Sequence, residues 1–398
     1  VSMPDTEPAF APISTPSQRN LIEEYMAFKS EKDHSLFSGA PASKKTRLGE
    51  IEMIKPLIDL PRNSQIPLNV HINRNGFKES LHQVDVAVCD ADGSVILGMG
   101  DVESVIFPRS AMKPLQSIAL IELLKTIEDI PEISEAEIAL ICASHNGETL
   151  HTEAVQGLLD KFDISIDELV CGAHWSMHQE TMMSQVRSMN EPHNAHNNCS
   201  GKHAGMLILS KLMSGKTFGY ANLTNVAQQQ ILGTLEFMTG LDLMHYPHGI
   251  DGCSAPVFSG PLGNWARAFA LFAGGGDLPD ARHEACQRIR KSIAAEPLLI
   301  AGHGRACSAI NAAYGEAITV KTGAEGVYSA AFHEYGLGAL VKARDGNKRG
   351  AEVAIGAVIR ALGYPIESSV KGFFQPKLLN WAGDEVGDIT IPNFVFNS

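Results

Sequence analysis

Long apolar stretches and an excess of basic residues are both missing from this chain. No run of about 18 apolar residues occurs, which is the length that a membrane-spanning helix needs, so no membrane span is expected. The formal net charge is −13, which argues against a nucleic-acid-binding surface because such a surface needs a basic stripe. The first residues, Val1 to Asp5, lack the basic-then-apolar pattern of a signal peptide. These absences predict a cytoplasmic protein with neither nucleic-acid nor membrane partners.

Cysteine is sparse, odd in number and widely spaced. The chain has 7 cysteines in 398 residues, and no C-x-x-C pattern occurs. Wide spacing and an odd number favour reduced thiols over a disulfide framework, in agreement with a cytoplasmic location. Most of these cysteines are therefore interpreted as small buried apolar residues.

The composition is otherwise that of a globular protein, with 44% hydrophobic and 19% charged residues. Residues 1–64 are rich in proline and polar residues, and we interpret them as an N-terminal extension that caps the body or is partly disordered. One helix is predicted in this extension, from Gln18 to about Phe28. Residues 65–398 are predicted to form a single domain of two intimately packed lobes.

Residue patterns in the body indicate an α+β fold. Asp85–Cys89 and Ser94–Gly98 are rich in β-branched residues and flank a turn sequence, which predicts a β-hairpin. A strand is predicted to carry Lys321, and Tyr335–Val341 with the turn at 344–347 predicts a second hairpin. The segments predicted as helical are 115–125, 149–244 with loops, 269–301 interrupted by glycines, and 351–362. An antiparallel sheet flanked by helices, with an additional helical region, follows from this order.

Three short motifs in the body carry the chemistry. They are Ser110-Ala111-Met112-Lys113, Ser144-His145-Asn146 and Lys321-Thr322-Gly323, which read S-x-x-K, S-x-N and K-T-G. Serine-acylating amidohydrolases of the β-lactamase and penicillin-binding type use this set. Positions i and i+3 of a helix share a face, so the Ser110 hydroxyl and the Lys113 amine are expected to meet. Lys113 can accept the serine proton only if its pKa is lowered, and Lys321 is the candidate for lowering it by charge repulsion.

Two polar loops contain the less ordinary cysteines. His196 to His203 contains no aliphatic residue, and Asp251-Gly252-Cys253 is a second polar segment. A solvated loop, a catalytic thiol and a metal site are all compatible with the first segment. A zinc site that includes Cys199 and Cys253 is one of the alternatives that the residues leave open.

The motifs together resemble the asparaginase II family, the rhizobial-type L-asparaginases. The resemblance runs from about Ile66 to Gly363 and leaves the N-terminal extension outside. The motifs that carry it are the three above, extended to their neighbours, together with Arg74…Glu79-Ser80-Leu81-His82, Cys171-Gly172-Ala173-His174-Trp175, His196 to Met206, Asp251-Gly252-Cys253 and Lys321 to Gly326.

The resemblance implies a β-lactamase-like catalytic domain, usually in a homodimer, that hydrolyses L-asparagine to L-aspartate and ammonia. It implies two Ser–Lys pairs, which fall on Ser110 with Lys113 and on Ser144 with Lys321. It also implies a zinc ion near the active site in a supporting role, with ligand positions that match Cys199, Lys202 and Cys253. The amine of Lys202 would have to be neutral to bind the metal.

The mechanism expected from these residues is acyl transfer. Ser110 attacks the amide carbon, Lys113 accepts the proton, and Ser144 with Lys321 relays it to the departing ammonia. Backbone N–H groups stabilise the oxyanion. The residues proposed to bind the substrate or to orient the site are Asp251, for the α-ammonium group, and Arg109, Asn197 and Asn198.

Three alternatives remain at this point. Another serine amidohydrolase on the same fold, such as a glutaminase or a β-lactam hydrolase, would use the same motifs. A non-enzymatic protein that binds zinc or another ligand could keep the fold. A hydrolase with zinc as its main catalyst is the third, although a histidine-rich ligand set would be expected for it.

Overall fold

A computed structural model describes residues 63–394, and all of them belong to one compact unit. The helix predicted at Gln18–Phe28, and nearly all of the predicted N-terminal extension, lie outside the described residues. Asn63 and Ser64, at the end of that extension, pair in parallel with a strand of the body. The boundary predicted between extension and body otherwise stays a prediction.

The strands of the described region, in chain order, are β1 (Asn63–Ser64), β2 (Leu68–Arg74), β3 (Phe77–Cys89), β4 (Val95–Met99), β5 (Val105–Ile106), β6 (His248–Ile250), β7 (Pro256–Phe258), β8 (Gly260–Pro261), β9 (Ile318–Gly323), β10 (Val327–Phe332), β11 (Leu337–Ala343), β12 (Lys377–Leu379) and β13 (Glu385–Thr390). The main sheet has the order β12-β13-β2-β3-β11-β10-β9, with β4 paired to β3 and to β1. Every pair except β1–β4 is antiparallel.

The helices of the described region are α1 (Lys113–Leu124), α2 (Glu135–Ile141), α3 (Thr149–Lys161), α4 (Gln179–Ser188), α5 (Ser200–Ser214), α6 (Val226–Thr239), α7 (Leu262–Phe272), α8 (Asp280–Ala295), α9 (Pro297–Ala301), α10 (Ala306–Tyr314), α11 (Lys348–Ala361) and α12 (Lys371–Phe374). Together with the antiparallel sheet they confirm the predicted α+β class. None of the helices in residues 63–394 is long and apolar enough to cross a membrane.

Helices cover both faces of the sheet. A Cβ added at Gly338 of β11 would meet the backbone of α7, and Gly350 of α11 lies against His82 of β3. Gly338 pairs with Cys89, an odd number of residues from His82 along β3, so the two contacts lie on opposite faces. Burial on both faces explains why Val84–Cys89, the second half of β3, is apolar at every position except Asp85.

The first hairpin prediction is confirmed and the second needs a correction. β3 and β4 form the antiparallel pair expected around residues 90–93. The partner of β11, however, is the preceding strand β10, and the chain between them turns at Gly336, whose φ is 59°. The turn at 344–347 leads instead into α11, because Asn347 Oδ1 accepts the Arg349 N–H at 3.1 Å and so caps the helix.

Helix α5 lies at the centre of the helical region, where α1, α2, α3 and α6 pack around it. It is buried without interruption from Ser200 to Ser210, as expected for a helix surrounded by others. A Cβ at Gly201 would lie 2.2 Å from Leu140 O, so glycine is needed for the close approach of α5 to α2. This packing places the start of α5 beside the chain that follows α2, which carries Ser144.

Candidate active site

The S-x-x-K motif lies where a short 3₁₀ helix, Arg109–Met112, runs into α1. Lys113 is the first residue of α1, and its N–H donates to Ser110 O. Ser110 is half-buried, whereas Lys113 is buried. Arg109 has φ 53°, a left-handed conformation that costs a non-glycine residue energy and often occurs at functional sites. The motif therefore presents the serine at the surface and directs the lysine inward.

The S-x-N motif follows α2 as an extended segment held by its backbone. The N–H groups of Ser144 and Asn146 donate to Ile300 O and Ala301 O, both at 2.9 Å. The N–H of His145 donates to Asn198 O at 3.2 Å. These bonds to α9 and to the polar loop fix the orientation of the buried Ser144 side chain.

The K-T-G motif is at the end of β9, an outer strand of the sheet. Lys321 is buried, and a Cβ added at Gly323 would lie 2.4 Å from Pro108 O and 3.3 Å from Ala111 N. The glycine is therefore what lets this strand approach the helix of Ser110.

We expect Gly323→Ala to separate the first and third motifs. The backbone atoms opposite the new methyl group must move, which costs about 1–3 kcal/mol in the free energy of unfolding. The displacement should also lower kcat by about 100-fold, because small misplacements of catalytic groups are costly. Gly157→Ala, on open helix surface with nothing within 4 Å of the added methyl, is the matched control. Wild-type melting temperature and kcat in Gly323→Ala would contradict the close approach.

The three motifs meet at the Ser144 hydroxyl. Ser144 Oγ lies 2.9 Å from Lys113 Nζ and 2.8 Å from Lys321 Nζ. Lys113 Nζ also contacts Ala143 O, and Asn198 O at 3.4 Å, so at least three acceptors surround it, as many as an ammonium group can satisfy. Lys321 Nζ has Thr322 O as its second contact, at 2.9 Å. Ser144 thus connects two lysine amines that come from distant parts of the chain.

The pKa of Lys321 is lowered to about 7, mainly by burial; Cys307 opposes this shift, and the neighbouring charges of Lys113 and Arg305 contribute to it. A substantial fraction of Lys321 is therefore a neutral amine near pH 7, able to accept a proton. The sequence motifs predict this role for Lys113, with Lys321 as its repelling neighbour, whereas in the structure the lowered pKa is that of Lys321.

The predicted contact between Ser110 and Lys113 is not formed by their side chains. Within residues 63–394, Ser110 Oγ is not a hydrogen-bond partner of Lys113 Nζ, which contacts Ser144 instead. The predicted pair of Ser144 and Lys321 is brought together. Catalytic hydrogen bonds often tighten only when substrate binds, so the position of Ser110 keeps it as a candidate nucleophile.

Arg109 and Asp251 form an ion pair next to Ser110. Asp251 Oδ1 accepts from Arg109 Nε at 3.0 Å, from Nη2 at 2.6 Å and from the Gly252 N–H at 2.7 Å. Burial raises the pKa of Asp251, but the hydrogen bond and charge of Arg109 and the charge of Lys202 outweigh it, so that the pKa is lowered. The site thus holds one cation and one anion side by side.

The two asparagines of the polar loop differ in their contacts. Asn197 is buried, and its amide binds Cys171 O and Gly172 O, both at 2.8 Å, and the Cys199 N–H. Asn198 uses its backbone, with its N–H donating to His174 Nε2 at 3.1 Å and its carbonyl facing Lys113. Asn197 therefore orients the loop, whereas the Asn198 side chain makes no hydrogen bond within residues 63–394.

Cys199, Lys202 and Cys253 come together behind this loop. Lys202 Nζ donates to Cys253 Sγ at 3.0 Å, and the two sulfurs are close enough to hydrogen-bond. That hydrogen bond from Cys253 keeps the pKa of Cys199 well below its usual range against the effect of burial, with help from Lys113 and Lys202. Burial acts to lower the pKa of Lys202, but the neighbouring Cys199 and Cys253 sulfurs outweigh it, so that this pKa is raised. The cluster also reaches the Lys113–Ser144 contact, because Cys199 contacts Lys113.

The donor set of this cluster suits a borderline-soft metal such as zinc. Two sulfurs and one amine are convergent and buried, which is what a protein zinc site requires of its side chains. Among residues 63–394, no group of three or more His, Cys, Asp or Glu side chains could hold a metal ion, so the lysine would be needed as the third ligand. Because the pKa of Lys202 is raised, binding of a metal would have to release its proton.

Two buried histidines lie behind Ser144. The rings of His145 and His151 stack at 4.7 Å, and His145 Nε2 lies 2.9 Å from Ser200 Oγ. Burial lowers the pKa of His145 well below its usual range and that of His151 to about 4. Both rings are therefore neutral in the folded protein at neutral pH.

These histidines should make the fold sensitive to acid. Their folded pKa values lie below the unfolded value of about 6.5, so their contribution to stability is complete above pH 6.5 and is lost as the pH falls towards 4. We expect the urea midpoint to decrease between pH 7 and pH 4.5. His151→Gln should reduce this decrease, and identical slopes in both proteins would contradict the assignment.

Two residues around the lysines, Cys307 and Gln116, are missing from the predicted site. The Thr322 N–H donates to Cys307 Sγ at 3.2 Å, and this thiol lies 3.1 Å from Tyr328 Oη. Nothing in the local sequence marks Cys307, because α10 meets β9 only in the folded chain. Gln116 could have been found from the sequence, because it follows Lys113 by three positions and therefore shares its helix face.

A cavity of about 640 Å³ borders the Ser144 segment without reaching the lysines. Its wall includes Gly147 and Glu148, and Glu148 binds Asn146 Nδ2 at 2.8 Å and His303 Nδ1 at 2.6 Å. None of the serines and lysines of the three motifs lines this cavity, so the catalytic chemistry is not placed there.

Among solved structures, the chain is similar to that of Mglu in its native form, with 13% identity and a TM-score of 0.37 over 67% of this chain and 62% of that chain. It spans less than two thirds of the length of Mglu. It is also similar to a Bacteroides dorei protein described as a β-lactamase, with 12% identity and a TM-score of 0.38 over 70% of this chain and 93% of that chain. A β-lactamase from Mycobacterium bovis is 12% identical with a TM-score of 0.35, over 70% of this chain and 94% of that chain.

A search of curated protein sequences finds no match to this chain. The sequence model of the family described as L-asparaginase II matches residues 70–391, a range that contains all three motifs, the Arg109–Asp251 ion pair and the Cys199–Lys202–Cys253 cluster. The chain therefore belongs to the L-asparaginase II family.

Proposed function

We propose that this protein hydrolyses the side-chain amide of L-asparagine to L-aspartate and ammonia through an acyl-enzyme on Ser110. The observation that carries the proposal is the Ser144 hydroxyl, held 2.9 Å from Lys113 Nζ and 2.8 Å from Lys321 Nζ. The Ser144 hydroxyl can pass a proton between the two amines. Ser144 is buried, whereas Ser110 is half-buried. Family membership supports asparagine as the substrate.

Ser110 is the nucleophile in this proposal because a substrate can reach it, whereas Ser144 is only 4% exposed. Its oxygen forms an ester with the amide carbon, and its proton enters the network of Lys113 and Ser144. Lys321, with a pKa of about 7, is the group that can take up this proton and return it to the departing amide nitrogen. Water then hydrolyses the β-aspartyl ester, which releases L-aspartate and restores the serine.

The ion pair of Arg109 and Asp251 supports an amino-acid substrate. All three hydrogen bonds to the Asp251 carboxylate go to Oδ1, which leaves Oδ2 for the α-ammonium group. Arg109 keeps guanidinium donors for the α-carboxylate, and its side chain is 27% exposed. A zwitterion would thus bind with its two charged groups on this pair and its amide at the neighbouring Ser110.

The test is ammonia release by the purified protein from L-asparagine and from L-glutamine, with Ser110→Ala assayed in parallel. We expect release from asparagine that is lost in the variant. One methylene group distinguishes the two amides, so a preference of about 10- to 200-fold is the expected range. Release from glutamine alone would make the protein a glutaminase, and hydrolysis of a chromogenic β-lactam without either release would make it a β-lactam hydrolase.

A zinc ion held by Cys199, Lys202 and Cys253 belongs to the proposal in a supporting role. When bound, the ion would supply positive charge next to Asp251 and the substrate. Removal of metal with a chelator should raise KM and leave measurable kcat, because the Lys–Ser–Lys contact contains no metal ligand. Metal content by mass spectrometry is the accompanying measurement, with Cys89→Ala as the control for nonspecific thiol binding. Complete loss of kcat on removal, restored by zinc, would favour a zinc hydrolase instead.

A further inference from the structure

Gln116 is a buried amide without partners next to the catalytic lysine. It lies on α1 one turn after Lys113 and is 4% exposed. Neither its Oε1 nor its Nε2 has a hydrogen-bond partner among the described residues. Buried polar groups are nearly always paired with protein or with ordered water, so this amide requires a partner.

The amide borders a small cavity of about 10 Å³, close to the size that one water molecule occupies. The cavity lies between Lys113 of the Ser–Lys–Lys contact and Lys202 of the cysteine cluster. Its remaining wall is largely apolar and comprises Ser117, Leu120, Ile141, Gly205, Met206, Leu209 and Ile231. The polar groups that can serve a water molecule there are therefore few.

Lys202 can supply the further hydrogen-bond donor that a water molecule in this cavity needs. Lys113 Nζ already faces three acceptors, and the Ser117 hydroxyl donates to Pro114 O at 2.8 Å. Lys202 Nζ contacts Cys253 Sγ, and it retains further N–H groups whether it is an ammonium or a neutral metal ligand. With Gln116 Oε1 and Nε2, a water molecule would have the two to four partners that buried waters require.

We propose that Gln116 is a positioning residue that holds one buried water molecule between its side-chain amide and Lys202 Nζ. This water bridge connects α1, which carries Lys113, to α5, which carries Lys202. It is a second connection, in addition to the contact between Lys113 and the Cys199–Lys202–Cys253 cluster. The bridge holds the Lys202 amine in its contact with Cys253. It thereby also holds the polar loop before α5, whose Asn198 carbonyl faces Lys113.

If the unpaired Gln116 amide had no role in catalysis, its replacement would have a different effect from the one expected for a bridging residue. If the amide were merely an unsatisfied group, replacing it with an apolar residue of similar size would relieve its desolvation and raise the melting temperature, with no effect on catalysis. A bridging role predicts that the same change displaces the polar loop whose Asn198 carbonyl faces Lys113, and so lowers kcat. Gln116→Leu therefore distinguishes the two explanations.

The experiment compares wild type, Gln116→Leu and the control Leu120→Met by crystallography and by kinetics with L-asparagine. Leu120 lines the same cavity, and its replacement keeps volume and polarity. We expect water density between the Gln116 amide and Lys202 Nζ in wild type, its loss in Gln116→Leu, and a kcat lowered by about tenfold or more with KM within about twofold. Leu120→Met should keep both the density and the kcat.

Three results would overturn the inference: a dry cavity in wild type, a Gln116 amide bound to another protein group, or an unchanged kcat in Gln116→Leu. The kinetic part rests on the proposed function. If wild type releases no ammonia from asparagine, that function fails, while the water density and the Lys202 conformation in the two crystal structures still decide the inference. A Gln116→Leu protein that does not fold would leave wild-type density as the deciding result.

Discussion

Ser110→Ala should form no acyl-enzyme and should lose at least about 1,000-fold in kcat, since removal of a nucleophilic serine eliminates the covalent pathway. The measurement is intact-protein mass spectrometry after acid quench of a reaction with L-asparagine. Wild type should gain the mass of one aspartyl group, and the variant none. Acylation that persists in Ser110→Ala would place the nucleophile elsewhere, with Ser144 as the first candidate.

Ser144→Ala provides the complementary result. This variant keeps Ser110 but loses the hydroxyl that contacts both Lys113 and Lys321. It should therefore acylate slowly and still show the aspartyl adduct at long times. Ser210→Ala is the matched control, because that serine is equally buried and donates to a backbone carbonyl in the helical region away from the lysines.

Lys321→Met should lower kcat by about 100- to 10,000-fold, the usual range for loss of a general acid–base group. The wild-type pH profile should carry the same information. Because Lys321 must be neutral to accept a proton and has a pKa of about 7, log(kcat/KM) should rise with unit slope below pH 7 and level off above it. The limb near pH 7 should be absent from the residual activity of Lys321→Met.

The folded state of Lys321→Met should be at least as stable as wild type, because a buried amine is replaced by an apolar side chain of similar length. Lys78→Met, on the exposed end of β3 in the same sheet, is the control and should keep wild-type kcat. A limb near pH 7 that persists in Lys321→Met would assign this titration to another group.

Much of the fold could be predicted from local pattern. The hairpin of β3 and β4 is encoded by two β-rich segments around a glycine-containing turn, and α11 by apolar residues on one face. The partner of β11 could not be predicted from local pattern, because the residues at 344–347 indicate a turn without indicating which strand pairs with β11. That turn equally well begins a helix once Asn347 caps it.

The residues of the candidate site were largely predictable from the sequence, but the contacts between them were less so. The residues alone left a zinc site with Cys199 and Cys253 open as one alternative, and the full set with Lys202 came from a family resemblance. No spacing rule connects residues more than 50 positions apart, and the fold brings them into contact. Asn197 resembled a substrate ligand in the sequence, but its amide is occupied by the backbone of residues 171 and 172.

The sequence by itself determined which residue types are available and their order, because helix periodicity, turn chemistry and the three short motifs are local properties. Only the tertiary structure decided that Ser144 contacts both lysines, that the lowered pKa appears at Lys321, and that Arg109 pairs with Asp251. The physical reason is that burial, charge neighbours and hydrogen-bond distances depend on segments far apart in the chain. Those quantities exist only once β9, α1 and the segment after α2 are packed together.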